Sequence, residues 1–420
     1  MKKYENYKDS GLEWLGMVPE HWKILPFKRG VSINNGRDYK HVQSEKGYPV
    51  IGSGGQFAFA SDYLYDGEVI LLGRKGTIDK PRYFNGKFWT VDTMFYAIPN
   101  QKCIAKYMYY QALTIPFSLY STDTALPSMT QTDLGNHLMC FPPTSEQRAI
   151  ASYLDHKVGQ IDALISEKEK MEEDLKAYRS SLITETVTKG LNKGVEMKDS
   201  GVEWIGKIPS DWTISKFKYI CKINGRIGFR GYTTDDLVSE GNGAFTIGGK
   251  HISKNLLDLS SPEYISWEKY YESPEIMVKK GDIVSAQRGT LGRTAYIDKE
   301  IGPATINPSL VLINDIIEDA KFLYWFMVSN SFLSMIEFVN TATAVPMISQ
   351  TQFGNTRIPL PPISEQHIIV EYLEKEISKI DTSISEIEHQ LSDLKSYKSS
   401  LITEAVTGKI DLRDWQTKKS

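Results

Sequence analysis

Lys8-Asp9-Ser10-Gly11-Leu12-Glu13-Trp14-Leu15-Gly16 returns as Lys198-Asp199-Ser200-Gly201-Val202-Glu203-Trp204-Ile205-Gly206, and this repeat decides the architecture. The offset is 198 − 8 = 190, and Pro19 and Trp22 recur as Pro209 and Trp212. Downstream, Pro142-Pro143-Thr144-Ser145-Glu146-Gln147 recurs as Pro361-Pro362-Ile363-Ser364-Glu365-Gln366. Ser180-Ser181-Leu182-Ile183-Thr184-Glu185 recurs as Ser399-Ser400-Leu401-Ile402-Thr403-Glu404. There the offset is 361 − 142 = 219, so the second copy carries 219 − 190 = 29 more residues between its fixed ends. A repeat on this scale is a duplicated domain, not a solenoid of ~20–50-residue units. Constant frames around unlike interiors predict one scaffold presenting two different surfaces.

A chain of 420 residues exceeds what one core usually supports, and 41% hydrophobic residues are enough to build two. Three scattered cysteines (Cys103, Cys140, Cys221) have no metal-ligand spacing and read as reduced thiols. The polar start, and the lack of an apolar run near the ~20 residues of a membrane span, place the protein in the cytoplasm with no membrane partner. Net charge is −3, which excludes DNA binding by bulk charge. Residues 20–144 hold 13 Lys/Arg against 10 Asp/Glu, and residues 207–362 hold 16 of each, so any DNA contact must come from local clustering.

The chain reads as globule, helix, globule, helix. From Ser145 to about Lys189 there is no proline and one interior glycine. Ile161, Lys168, Leu175 and Leu182 step by sevens, with Leu164, Met171 and Tyr178 as a second row. The second copy repeats the pattern in Ile380, Ile387, Leu394 and Leu401, with Ile377, Ile384 and Leu391. Seven-residue apolar spacing makes a stripe that needs a partner helix. Each helix starts after Pro-Pro, with Ser145 or Ser364 placed to cap it and Glu146 or Glu365 in the first turn. Two rods of roughly 65 Å, each with an open stripe, pair most simply with each other. The alternative is that each packs on its own globule.

The globules carry short β-rich segments such as Glu68-Val69-Ile70-Leu71-Leu72 and Asp282-Ile283-Val284-Ser285-Ala286, separated by glycine turns. The fold class expected is α+β: two similar mixed α/β domains joined by two long helices pairing as an antiparallel coiled coil, with a pseudo-twofold relation. Three pairs of loops are candidates for function. Gly73-Arg74-Lys75-Gly76-Thr77 aligns with Gln287-Arg288-Gly289-Thr290, followed by Arg293; cations between glycines suit phosphate contact or bidentate reading of guanine. Ser53, in Ile51-Gly52-Ser53-Gly54-Gly55, corresponds to Lys250 and His251 after Ile247. Arg37, Tyr39 and Lys40 correspond to Arg226 and Arg230, mixing basic and aromatic residues. Ordinary polar hairpins are the alternative for any one of these loops. The Trp and Gly of the opening motif read as packing and turn residues.

No P-loop or nucleotide-fold glycine turn is present, and seven histidines show no pair at metal spacing. Asn307-Pro308-Ser309-Leu310 begins like an amino-methyltransferase motif, but Ser309 and Leu310 break it. Asp79-Lys80 and Asp298-Lys299 lack the second carboxylate of a nuclease site. The chain reads as non-catalytic, with no metal or cofactor site of its own.

In both copies and in the same order, the Asp-Ser-Gly-x-Glu-Trp-x-Gly frame, the Arg-(Lys)-Gly-Thr loop, the Pro-Pro-x-Ser-Glu-Gln helix start and the Leu-Ile-Thr-Glu helix end resemble the specificity subunit of type I restriction-modification systems. The resemblance implies two target recognition domains (1–144 and 191–363), two spacer helices (145–190 and 364–408) and a tail (409–420). It implies that each domain reads one half of a split, asymmetric site in double-stranded DNA, and that the helices fix the spacing. It also implies two adenine methyltransferase subunits and a nuclease/translocase subunit as partners, with S-adenosylmethionine, ATP and magnesium on those subunits. A coiled-coil interaction scaffold without a DNA role, or a stand-alone DNA enzyme, are the readings from other classes. The tail Val406-Thr407-Gly408-Lys409-Ile410 resembles Val187-Thr188-Lys189-Gly190-Leu191, which predicts that the tail closes back on the first globule.

Overall fold

The computed structural model describes residues 2–120, 127–226, 231–340 and 346–415. Packing divides the chain into two units, Met1–Lys170 with Glu388–Ser420, and Met171–Ile387. Each unit therefore holds one globule and a segment of both long helices, Thr144–Lys189 and Ile363–Val406.

In the first unit a seven-stranded sheet runs in the order Val31–Asn35, Met94–Pro99, Tyr65–Gly73, Arg82–Thr90, Tyr48–Gly52, Gly55–Ala60, Gln43–Ser44. Neighbours are antiparallel except Tyr48–Gly52 beside Arg82–Thr90, which pair in parallel at Val50–Trp89 and Ile51–Thr90. Period-two alternation sorts the central strand to two faces. Ile70 and Leu72 join the main core with Tyr107, Ile150 and Leu154, while Val69 and Leu71 meet Phe88 and Met94 on the other side.

The second unit uses the same local pairings in two four-stranded sheets. One runs Lys222–Gly225, Leu310–Asn314, Ile283–Ala286, Thr294–Tyr296. The other runs Leu237–Val238, Tyr264–Ser266, Gly243–Ile247, Ala304–Ile306, its last pair parallel. This unit also contains the helices Trp267–Tyr271 and Asn330–Val339. With Ala320–Met327, the latter supplies buried Phe322, Phe326, Phe332 and Met335 to the core.

The repeated motifs form the same brace in each unit. The indole of Trp22 donates to Glu146 Oε2 at 3.0 Å, and that of Trp212 to Glu365 Oε2 at 3.1 Å. Gln147 accepts from the Ile104 N–H (2.9 Å) and donates to the Pro142 carbonyl (2.9 Å). Gln366 accepts from Asp319 (3.0 Å) and donates to Pro361 (3.0 Å). Glu and Gln are thus required at the helix start because they satisfy buried donors and acceptors that would otherwise cost about 1–3 kcal/mol each. The helices begin at Thr144 and Ile363, so Ser145 and Ser364 sit in the first turn and not at the cap expected of them. Gly408 turns at φ +74° against Pro19 and Trp22, where any Cβ would lie 2.4 Å from the proline ring. The tail then buries Ile410 and Leu412 in the first core, and Lys409 Nζ donates to the Leu15 carbonyl at 3.2 Å.

Within the first unit the long helices run antiparallel, with Asp162 paired to Lys398 (2.6 Å) and Glu169 to Lys395 (3.1 Å). Within the second, Arg179 forks onto Asp381 at 2.7 and 3.2 Å. Such exposed ion pairs contribute at most about 1 kcal/mol each. Each buried aliphatic contributes about 1.5–3 kcal/mol, so Ile161, Ile377, Ile380, Ile384 and Leu401 hold the pairing while the ions fix its register. One expected row is corrected. Leu164, Met171 and Tyr178 are 47%, 46% and 57% exposed, and the second row of the first helix is instead Ile165, Glu172, Arg179 and Thr186. Lys168 in one row and Glu172 and Arg179 in the other are half-buried, their stems covering the seam while their charges reach solvent or a partner. No single helix among the described residues is long and apolar enough to cross a membrane.

Candidate nucleic-acid interface

In the first unit the turn 91–93 links strands Arg82–Thr90 and Met94–Pro99, and all three candidate loops close on it. Gly36 and Arg37 donate their N–H groups to the carbonyls of Met94 and Thr90, each at 2.9 Å. A side chain at Gly36 is excluded, because its Cβ would lie 2.0 Å from the Val91 carbonyl oxygen. The second loop is tied by Thr90 Oγ1, which donates to the Ile51 carbonyl at 2.7 Å. From the third, the N–H groups of Arg74 and Lys75 converge on the Thr93 carbonyl at 2.8 and 3.2 Å. The Arg74 guanidinium lies 5.9 Å from the Phe95 ring centroid and 3.4 Å from the Asp92 carbonyl.

The second unit repeats this hub with other residues. Its turn 307–309 links Ala304–Ile306 and Leu310–Asn314. Asn307 Oδ1 accepts from the N–H (2.9 Å) and hydroxyl (2.6 Å) of Ser309, which explains the Asn-Pro-Ser sequence as a turn. Gln287 and Arg288 converge on the Ser309 carbonyl at 2.9 and 3.2 Å. Gly76 donates to Pro127 at 2.9 Å and Gly289 to Pro346 at 3.0 Å, with φ of +81° and +78°. Only glycine adopts that conformation at no cost.

Lys40, Arg37, Lys75, Thr77, Arg288, Thr290 and Arg293 are exposed at these rims, and Tyr39, Ser53 and Arg74 are half-buried. Among the described residues no carboxylate pairs with Arg37, Lys40, Lys75 or Arg288, so their charges are open to phosphate or base edges. Lys250 is exposed but paired with Glu263 at 2.6 Å. Arg293 reaches the Gly249 carbonyl at 3.4 Å, which joins the second and third loops.

Three expected contact residues are turned inward. Arg226, 5% exposed, donates to the Ile306 carbonyl (3.2 Å) and Thr305 Oγ1 (3.1 Å), and burial lowers its pKa. His251 accepts from the Gly248 N–H at 2.8 Å and its Nε2 lies 3.0 Å from the Ser261 carbonyl. Gln287 Nε2 donates to the carbonyls of Pro308 and Leu310 at 3.0 and 3.1 Å. Each hydrogen-bonds backbone groups of its own unit from a buried position, so they brace the loops instead of facing a ligand. Arg230 lies outside the described residues. Sequence reasoning missed the two hub turns and the exposed Phe57, though Gln56-Phe57-Ala58-Phe59 alternates aromatics in a way that exposes or buries both together. No group of three or more His, Cys, Asp or Glu able to hold a metal occurs among the described residues. Burial pushes the thiols of Cys140 and Cys221 up to about 12.

Residues 23–173 and 209–392 match the family described as the type I restriction modification DNA specificity domain. The chain belongs to that family. As a type I specificity chain its role is DNA sequence recognition, which leaves the scaffold reading without support. It is similar to the specificity subunit of the Escherichia coli type I restriction enzyme EcoDI, 20% identical over 94% of this chain and 90% of that one. It is also similar to that of MjaVIII from Methanocaldococcus jannaschii, 23% identical over 98% and 97%. A chain solved in a study of complex assembly and conformational transition of the type I system shares the fold. Its TM-score is 0.68 at 17% identity, covering 94% of this chain and 99% of that one.

Proposed function

We propose that each unit reads one half of a bipartite, asymmetric site in double-stranded DNA, and that the paired helices set the gap between the halves. The observation that carries this reading is the repeated hub: one backbone arrangement around 91–93 and 307–309, decorated with unlike side chains. Backbone and frame position a reader, whereas base-edge contacts specify, so a duplicated frame with divergent rims suits two unlike half-sites. The exposed cations Arg37, Lys40, Lys75, Arg288 and Arg293 supply phosphate and guanine contacts.

In this reading the chain does no chemistry itself. Two adenine methyltransferase subunits dock on its helical segments, and a nuclease/translocase subunit completes the complex. S-adenosylmethionine, ATP and magnesium belong to those subunits, and the cytoplasm is the compartment the role implies. A net charge of −3 means that the partners supply much of the backbone affinity.

Methylome sequencing of a host carrying this chain and its methyltransferase, with and without this gene, tests the reading. A gapped two-part motif, methylated on adenine and lost on deletion, is expected. An unchanged methylome with an active partner contradicts it.

A further inference from the structure

Phe57 is 56% exposed on strand Gly55–Ala60, next to the loop that carries Arg37 and Lys40. Its ring is held from two sides. Tyr39 meets it edge-on with centroids 5.3 Å apart, and Tyr39 in turn packs on the small core of Val50, Ala60 and Trp89. On the other side the ring lies against Gly52, where a Cβ would come within 3.2 Å of it. Gly54 and Gly55 at the strand's start have no side chains, and the Arg82 guanidinium lies over Gly55, 3.4 Å from where a Cβ would be. The loop that carries Tyr39 also carries unpaired Arg37 and Lys40. At the matching place in the second unit the described chain leaves strand Gly243–Ile247 into the short helical turn Gly249–His251, and His251 is buried.

An exposed, buttressed aromatic ring among free cations is out of place on a surface that meets only water, because the apolar area is stabilised by burial. Against duplex DNA it has a use. A phenyl ring offers no hydrogen bond to a base edge, so it adds sequence information by touching a thymine methyl or by entering between base pairs. A ring that only brushes a methyl group needs no support from behind; one that unstacks a step must resist being pushed back, which the Tyr39 contact provides.

We propose that Phe57 is an apolar wedge that opens one base step in the half-site read by the first unit. The occupant of this surface is duplex DNA, and the flanking Arg37 and Lys40 hold the phosphates on either side of the opened step. Flexible pyrimidine–purine steps are the easiest to unstack, so the position is selected by deformability and not by hydrogen bonding. This inference rests on the half-site reading proposed above.

The test uses the full chain with its methyltransferase partner and a dye-labelled duplex carrying the motif that the wild-type methylome defines. Phe57→Ala is expected to remove a bend seen by energy transfer in the wild-type complex. It is also expected to lower discrimination at one position of one half-site about tenfold, with the other half-site unchanged. Phe57→Leu, which still presents an apolar wedge, is expected to keep most of both effects. Because the side chain is exposed, the unfolding midpoint should not move in either variant. Loss of discrimination with no change in bend overturns the wedge in favour of a surface contact. Loss of complex assembly without loss of discrimination overturns it in favour of a protein partner. A wild-type chain that yields no two-part motif would instead defeat the half-site reading itself.

Discussion

The loops that follow strands Tyr65–Gly73 and Ile283–Ala286 share a backbone and differ in their side chains. In both, two successive N–H groups converge on one carbonyl of the hub turn, and a left-handed glycine donates to a proline. At the first of the paired positions, Arg74 is half-buried with its guanidinium near Phe95, whereas Gln287 is buried and spends its amide on two carbonyls. At the second, Lys75 and Arg288 are both exposed and unpaired. The difference teaches that the fold fixes where a side chain is presented and leaves its identity free. Such a division lets one scaffold serve two DNA half-sites.

That contrast between frame and rim can be broken experimentally, and frame positions should show the largest effects. Trp22→Ala and Trp212→Ala each remove a fully buried indole and leave a braced glutamate short of a donor. A loss of about 3–5 kcal/mol is expected for each in denaturant unfolding. If one were silent, the two frames would not be equivalent.

A second effect separates the units by pH. Burial lowers His137 to about 4; Trp14 stacks on its ring at 5.1 Å and the Tyr120 hydroxyl lies 2.7 Å from Nδ1. A histidine depressed below its ordinary 6.5 takes up its proton more readily when unfolded. The stability it supports is therefore present above about 6.5 and is lost as pH falls towards 4. About 2–3 kcal/mol is at stake in the first unit. The second unit has Thr356 at the matching carbonyl, which accepts from Phe217 as His137 accepts from Phe27. There burial raises Asp282 to about 6, so its contribution runs the other way, present below 3.8 and lost as pH rises through 6. Hydrogen exchange resolved to each unit should show the first loosening and the second tightening between pH 6.5 and 4.5, and His137→Thr should abolish the first response.

Smaller effects are expected at the rims. Lys75→Ala and Arg288→Ala should each weaken or relax reading by about 1–3 kcal/mol in DNA-binding titrations, with no change in unfolding. The smallest belongs to the helical seam, where Lys398→Ala, which loses an exposed pair with Asp162, should cost about 0.5 kcal/mol or less.

The frame was legible in the sequence because its constraints are local and repeated. A glycine that must turn, a proline pair that must end a strand and an aliphatic heptad all leave marks at fixed spacing. The rim was legible only in part. Arg74, Lys75 and Arg288 stood out as cations between glycines, but a cation's pattern does not reveal whether its head is spent internally. Arg226 and His251 look like surface binders in one dimension and are buried braces in three. The outer row Leu164, Met171 and Tyr178 shows the same limit, since packing selects the mostly polar row Ile165, Glu172, Arg179 and Thr186 over this apolar one. The hub role of turns 91–93 and 307–309 was not legible, although Asn307-Pro308 marks a turn, because that role rests on backbone carbonyls that every residue carries.

The most direct test of two independent readers on one scaffold is the methylome of a host expressing Arg288→Ala with the methyltransferase partner, set beside the wild type. The account predicts a motif in which one half is relaxed while the other half and the gap are unchanged. Equal loss of both halves would contradict it.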